Sequence, residues 1–470
     1  MVKMKLILVL IAGLLSAFIM PIISYAQFLP IVQEKDTRQN YEALATMFDQ
    51  RKYQEVLPAY KQLLLEDPEN SNLNFIVADC FMNIDGLEND ALPLLEKAIK
   101  NTIPNYTNTP SQRKAPVFAY VRIGDYLYND YKFDEALINY KVFRTYLDPK
   151  KDKVQLDDIN RKIDITANAK KLMENTAKVT LSELPYVNAA SFSDYAAQVA
   201  DNGSVIYFSR RKMGVTGQGG SDIFYMKKTD NKWGRPIRMP FINSDADDNF
   251  CSVSKDGNTM FFSSNRDGNF HIFSSTRKGK SLWSEPVPLN PNINTPKSEE
   301  SFACISSDGK TLYFVSDRKG GRGGKDIYRS TRPFGGDWGV SENLGNTINT
   351  PGNEESPFIS DDSKTLYFSS NGLAGMGGYD IFYTNVNGIS FSSPVNAGFP
   401  INTLSDDLFY IKSNSNPKDY FVSRSKSGKN EFSVTLVSES TSTTSVAEVK
   451  AKEQTKEKQK LKLVPKTLKY

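Results

Sequence analysis

One histidine, His271, serves a chain of 470 residues. A Ser-His-Asp arrangement would have to use it, and a zinc site could draw on one imidazole at most. It stands in a strand whose sibling copies carry Asp at the same place, so it reads as a repeat position, not a catalytic one. Cysteine is almost as scarce: Cys80, Cys251 and Cys304. An odd number excludes a complete disulfide set. Cys251 and Cys304 fall in equivalent strands of neighbouring repeats, one position out of register, and one position changes the face of a strand. All three read as small buried thiols. Charge of one sign is lacking as well. The formal net charge is +4, but two lysines lie in the first 26 residues and a net +5 in 441–470, leaving −3 between them. The folded body offers no basic face for nucleic acid. Long apolar runs are limited to one, Leu6 to Ile23, behind Lys3 and Lys5.

That run ends in Ser24-Tyr25-Ala26, small residues at −3 and −1 of a cleavage site before Gln27. The order of charge, apolar run and small residues predicts a secretory signal peptide, 1–26, cut after Ala26. An uncleaved membrane anchor is the other reading of the same residues. No Cys follows the run, so lipoprotein processing is not expected. Export places the chain in the periplasm or cell envelope, with membrane association only through partners or an uncleaved signal.

The next segment has helical spacing. In 38–70, Tyr41, Leu44 and Phe48 are followed, after the polar turn "DQRK", by Val56, Tyr60, Leu63 and Leu64. The form returns at 73–99 and at 117–147, where Gly124 permits close approach of two helices. A further helix is expected over 157–175. A period near 34 with this pattern resembles the tetratricopeptide repeat. The resemblance covers about 38–147 and implies a groove for a protein partner; a spacer without a ligand is the alternative.

From about 180 the period changes to strands. Each unit opens with Ile242-Asn243-Ser244, Ile293-Asn294-Thr295, Ile348-Asn349-Thr350 or Ile401-Asn402-Thr403, with Val187-Asn188-Ala189 as a degenerate first copy. Two acids follow, then a short apolar strand and a turn: Asp201-Asn202-Gly203, Asp256-Gly257, Asp308-Gly309 or Asp361-Asp362-Ser363. Such turns between short apolar runs predict hairpins. Aromatic strands come next, as in Met260-Phe261-Phe262 and Leu312-Tyr313-Phe314, and third strands such as Ile223-Phe224-Tyr225. A fourth is expected near Trp233, Trp283 and Trp338. About four strands per unit at a period of 52–55 predict a five-bladed β-propeller. The phrase "SSDGKTLYFVSDRKGGRGGKDIY" closely resembles the TolB-type propeller repeat, a relative of the WD repeat. Helical repeats followed by this propeller resemble envelope proteins of Gram-negative bacteria associated with type IX secretion and gliding. Many of those carry an OmpA-like domain; none is recognisable in these residues, so peptidoglycan anchoring is not carried over.

The paired acids are Asp247/Asp248, Glu299/Glu300, Glu354/Glu355 and Asp406/Asp407, with Asp194 at the matching point of the first unit. Ring closure is expected to bring Asp194, Asp248, Glu300, Glu355 and Asp407 to the mouth of the central channel. Like charges there repel unless water, a cation or a basic partner compensates them, and oxygen-only ligands suit Ca²⁺. A solvated ring, or acids capping backbone amides between blades, are the other readings. Asp222, Asp326 and Asp380 recur in register and read as structural. The glycine-rich loops around 214–222, 318–326 and 372–380 have no following helix to hold a phosphate and read as turns. Residues 438–470, rich in Ser, Thr and then Lys, read as a disordered tail, with docking to an anionic surface as the alternative.

The sequence thus predicts a multidomain chain: a signal peptide (1–26), all-α tetratricopeptide-like repeats (27–178), an all-β five-bladed propeller (180–437) and a Lys-rich tail. The expected role is an exported, non-enzymatic scaffold of a cell-envelope assembly, binding proteins through the helical groove and a propeller face. A propeller hydrolase or glycan-processing enzyme, and a carbohydrate-binding module, are the alternatives.

Overall fold

The computed structural model describes residues 41–449, except 175, 190, 214–219, 280–281, 334–335, 413–418, 426–430 and 442–444. The expected signal peptide and the tail beyond 449 lie outside the described residues. The chain divides into two compact units, Met1–Tyr126 with Ile138–Asp148, and Leu127–Leu137 with Pro149–Tyr470. This division differs from a boundary near 178, since the last helix and the turn at 127–137 share a core with the propeller strands.

The first unit is helical: α1 (Tyr41–Asp49), α2 (Tyr53–Glu66), α3 (Ser71–Met82), α4 (Leu92–Ala98) and parts of α5 (Ala119–Asn129) and α6 (Phe133–Arg144). Tyr60 of α2 meets Tyr41 and Phe48 of α1 edge to face at 5.8 and 6.2 Å. Helix α3 starts where the Asn70 side chain accepts the N–H groups of Asn72 and Leu73, which satisfies two otherwise orphaned donors. Gly124 does permit the close approach expected of it, since a Cβ there would collide with the Tyr140 ring. The long connection before α5 holds a short parallel ladder, β1 (Thr102–Ile103) with β2 (Ala115–Pro116), which the sequence did not signal.

The second unit contains α7 (Lys153–Glu174), β3 (Val179–Ser182) and a five-bladed β-propeller. Blade one is β4 (Phe192–Ala200), β5 (Val205–Lys212), β6 (Ser221–Thr229) and β7 (Lys232–Trp233), with β8 (Ile237–Arg238) also on β6. Blade two is β9 (Asp248–Val253), β10 (Thr259–Ser264), β11 (His271–Thr276) and β12 (Val287–Pro288). Blade three is β13 (Glu300–Ile305), β14 (Thr311–Ser316), β15 (Asp326–Thr331) and β16 (Glu342–Asn343). Blade four is β17 (Glu354–Ile359), β18 (Thr365–Ser370), β19 (Asp380–Asn387) and β20 (Ser390–Phe391), with β21 (Val395–Asn396) on β19. Blade five is β22 (Asp406–Lys412), β23 (Asp419–Ser425) and β24 (Ser433–Glu439), and its fourth strand is β3. Val179 pairs with Glu439 and Ser182 with Leu436, so the start of the propeller closes its last blade. The inner strands β4, β9, β13, β17 and β22 each touch the next around the ring, and β22 touches β4.

The turns after the inner strands follow their sequence. Ser306 Oγ donates to Asp308 Oδ1 at 2.6 Å, the Lys310 N–H donates to the same atom, and Gly309 takes φ +72°. The Ser306 hydroxyl holds the Asp308 carboxyl below its usual range. In the turn without glycine, Ser363 adopts φ +57°. Each inner strand also carries a β-bulge. Four of the five place a non-glycine residue at positive φ: Ala196, Phe302, Ser356 and Phe409. Buried aromatics and aliphatics fill the spaces between blades, for example Phe261, Ile272, Ile293, Leu312, Phe314 and Trp338 between blades two and three. Cys80, Cys251 and Cys304 are buried free thiols.

Candidate functional site

The end of the ring where the inner strands begin is where the expected acids stand. Asp194, Asp248, Glu300 and Asp407 are fully buried, and each is bound by an arginine from the second strand or the loop after it. Arg210 Nε and Nη2 donate to Asp194 at 2.7 and 2.8 Å. Arg266 reaches Asp248 at 2.5 Å, Arg318 reaches Glu300 at 3.2 Å, and Arg424 reaches Asp407 at 2.7 Å. Each arginine also donates to a carbonyl of the loop entering the blade: Tyr186, Ile242, Ile293, and Pro400 with Ile401. Each acid in turn accepts a loop N–H, from Asn188, Ser244, Thr295 and Thr403 respectively. These acids are separate brackets between loop and sheet, not an open ring of carboxylates.

Blade four departs from the pattern. Its bracket acid is Glu354, fully buried, whereas Glu355 lies one position along and half-buried. Counting from the loop isoleucine, Glu354 is six residues after Ile348, as Asp248 is after Ile242 and Asp407 after Ile401. In blade four the acid pair begins at that position instead of ending there, so taking the second acid of the pair misplaced the expected site. Gly372 stands where blades two and three have Arg266 and Arg318. Glu354 accepts instead from Thr350 N at 2.8 Å, Thr350 Oγ1 at 2.6 Å and Ser370 Oγ at 2.7 Å. Burial raises its carboxyl above the usual range. Glu355 accepts from Lys325 Nζ at 3.1 Å and from the Tyr379 hydroxyl at 3.2 Å.

The asparagine of each entering loop has a role that the sequence signalled only as a repeated letter. Asn243, Asn294, Asn349 and Asn402 each accept the N–H and donate to the C=O of an isoleucine in the third strand: Ile223, Ile272, Ile327 and Ile381. Asn188 does the same with Val434. The amide matches a backbone pair, so it acts as one more residue of the sheet.

Deeper along the axis, bulge residues meet. Phe302 and Phe409 pack edge to face at 4.9 Å, and Tyr195 lies 5.7 Å from Phe409. Beyond them, the far ends of the inner strands and their turns line a small solvent-open cleft of about 20 Å³, with Gln198, Ser252, Lys255, Cys304, Ser307 and Asp361 among its walls. Burial pushes the Cys304 thiol up to about 12, so it stays protonated. His271 faces the Thr295 carbonyl at 3.3 Å. Among the described residues, no group of three or more His, Cys, Asp or Glu side chains is gathered as a metal ion would require. Asp222 binds Arg238, whereas Asp326 and Asp380 cap N–H groups of their own glycine-rich loops.

No protein-family model matches the sequence, and no curated protein matches it. Solved structures are similar to the propeller part. One described as TolB from Agrobacterium tumefaciens is 15% identical, with a TM-score of 0.28, covering 44% of this chain and 82% of its own. An endo-arabinase from Bacteroides thetaiotaomicron is also 15% identical, with a TM-score of 0.37, over 55% of this chain and 97% of its own. A protein of unknown function from Dyadobacter fermentans is 12% identical, with a TM-score of 0.35, over 52% and 75%. The propeller assignment rests on the strand order above, not on these likenesses.

Proposed function

We propose that the chain is an exported, non-enzymatic scaffold that binds proteins in a bacterial cell-envelope assembly of the type IX secretion or gliding kind. One observation carries the non-enzymatic part: the acids that recur at the inner strands are buried in brackets between loop and sheet. A glycosidase needs two carboxyl groups facing a common substrate bond, and Asp194, Asp248, Glu300 and Asp407 face arginines. What the folded parts turn outward includes large apolar side chains. The helical unit exposes Leu65, Phe118, Ile138 and Tyr146, and the entering loops of the propeller expose Tyr186 and Phe241, at 53% and 67%. The helices are read as tetratricopeptide-like repeats that offer a groove, and residues 1–26 as the export signal. No helix among the described residues is long and apolar enough to cross a membrane.

The test is crosslinking capture of the tagged full-length protein from cell envelopes, beside a Tyr186→Ala/Phe241→Ala variant. A defined partner retained by the wild type and lost from the variant supports the reading. Turnover of an envelope glycan by the purified protein, removed by Glu355→Gln, would replace it with the hydrolase.

A further inference from the structure

The glycine-rich loop of blade four does more than turn the chain. Its Gly375 carbonyl accepts from Asn168 Nδ2 of α7 at 2.7 Å, and its Met376 carbonyl accepts from the Tyr128 hydroxyl. The Met376 side chain is fully buried in a cluster with Phe133, Ala169, Ile381 and Phe399. The loop keeps this shape because Asp380 Oδ2 accepts the N–H groups of Met376 and Gly377 at 3.0 and 2.9 Å. A Cβ at Gly375 would collide with that same oxygen. The grip on α7 and on the turn at 127–137 therefore depends on one carboxyl group.

That group is incompletely satisfied. Asp380 is buried, and its Oδ1 has no hydrogen-bond partner among the described residues. In blade three the counterpart Asp326 receives a third donor, Asn343 Nδ2 at 2.9 Å. In blade four the matching Asn396 lies beside the carboxyl, but its Nδ2 is out of hydrogen-bonding geometry. The titratable and charged neighbours belong to blade five: Asp406 and Asp407 on β22, the latter's own carboxyl raised by burial to about 6 with Arg424 opposing the rise, and Arg424 on β23, which is bound to Asp407. From α7 and the turn, the groups that bond the loop are the neutral Asn168 amide and Tyr128 hydroxyl. Among the described residues, no cation bonds Asp380.

We propose that Asp380 is a proton-operated latch, which holds the loop closed on α7 and Tyr128 while it carries a proton and loosens the loop when it loses it. Burial raises its carboxyl to about 7, with the Gly377 N–H opposing the rise and the charge of Asp407 reinforcing it. In the open loop the group returns to the ordinary carboxylate range. The closed form then binds the proton that the open form releases. Closure is most favoured in acid, weakens as pH rises toward 7, and is level above it.

Hydrogen exchange of the full-length protein, corrected for intrinsic rates under conditions where reclosing is fast, tests this. Protection of 371–379 and of α7 is expected to fall roughly tenfold per pH unit from pH 5 toward 7 and then level off. The blade-three loop at 319–324 is the internal reference. Asp380→Asn keeps the acceptor oxygen and removes the proton, so its profile should be flat. Constant protection in the wild type overturns the proposal, and so does an equal fall in Asp380→Asn. Should that variant not fold, the wild-type profile relative to the 319–324 reference decides alone.

Discussion

Arg210 holds Asp194 through two parallel hydrogen bonds, Nε to Oδ1 and Nη2 to Oδ2, and both side chains are buried. Removing one partner leaves a buried charge uncompensated. Arg210→Met is expected to cost about 3–5 kcal/mol, and Arg210→Met/Asp194→Leu much less, since replacing both members of such a pair is often close to neutral. Urea unfolding of both variants measures the difference. Equal losses would mean that the loop contacts to Tyr186 and Asn188, not the charge pair, dominate.

Blade four contains a built-in contrast. A Cβ at Gly372 would collide with Thr350 Oγ1, which donates to Glu354. Gly372→Ala is therefore expected to destabilise by about 1–3 kcal/mol through overpacking. The same substitution at Gly309 meets no neighbouring atom, yet it sits at φ +72°. Its cost comes from backbone strain alone, about 1–2 kcal/mol. Thermal unfolding of each, combined with Thr350→Ala, separates the two causes. Thr350→Ala removes the Oγ1 that the new side chain would strike, so it should shrink the Gly372→Ala loss and leave the Gly309→Ala loss unchanged.

Much of this architecture was legible because its signals are local. The Asp-Gly turns, the strand Leu312-Tyr313-Phe314 and the step Asp326-Ile327-Tyr328 fix hairpins within twenty residues, and repetition multiplies the evidence. The helices lie where Tyr41, Val56, Gly124 and Ala136 placed them. What could not be read is non-local. β3 is four residues, "VTLS", whose partner β24 lies some 250 residues later. Glu354 and Glu355 are chemically alike, and the pair is shifted by one against those of blades two and five, so its first member and not its second is the one that turns inward. The brackets also needed Arg210, Arg266, Arg318 and Arg424 to be assigned to acids 16–18 residues earlier, across a bulge that alternation does not show.

The closing strand makes its own prediction. Leu181 is buried against β24 and the cluster around Val437. Leu181→Ala is expected to cost about 2–5 kcal/mol, as for other buried leucines. Because β3 completes the last blade, the loss should fall on the whole ring. One cooperative transition, shifted down, is expected in calorimetry. A separate early transition confined to blade five would show that closure is not coupled to the rest.

The last prediction concerns where the propeller can be cut. A boundary near 178 predicts that 176–440 folds by itself. The structure puts Phe133 and Ala169 in one cluster with Met376, Ile381 and Val437, and adds Val449 from a short helical segment within the expected tail. Leu172, Met173 and Val446 pack on the same cluster. A fragment of 176–440 loses all six, uncovering Met376 and Ile381. Burial of a side chain of this kind contributes about 1.5–3 kcal/mol for the larger ones, so the deficit is at least about 4 kcal/mol. For a propeller of this size that lowers Tm by on the order of 10 °C. A fragment of 119–449 keeps the cluster and should melt close to the full-length propeller. Calorimetry of the two fragments side by side decides it. Equal melting temperatures would mean that α7 and the segment ending at Val449 rest on the ring without stabilising it.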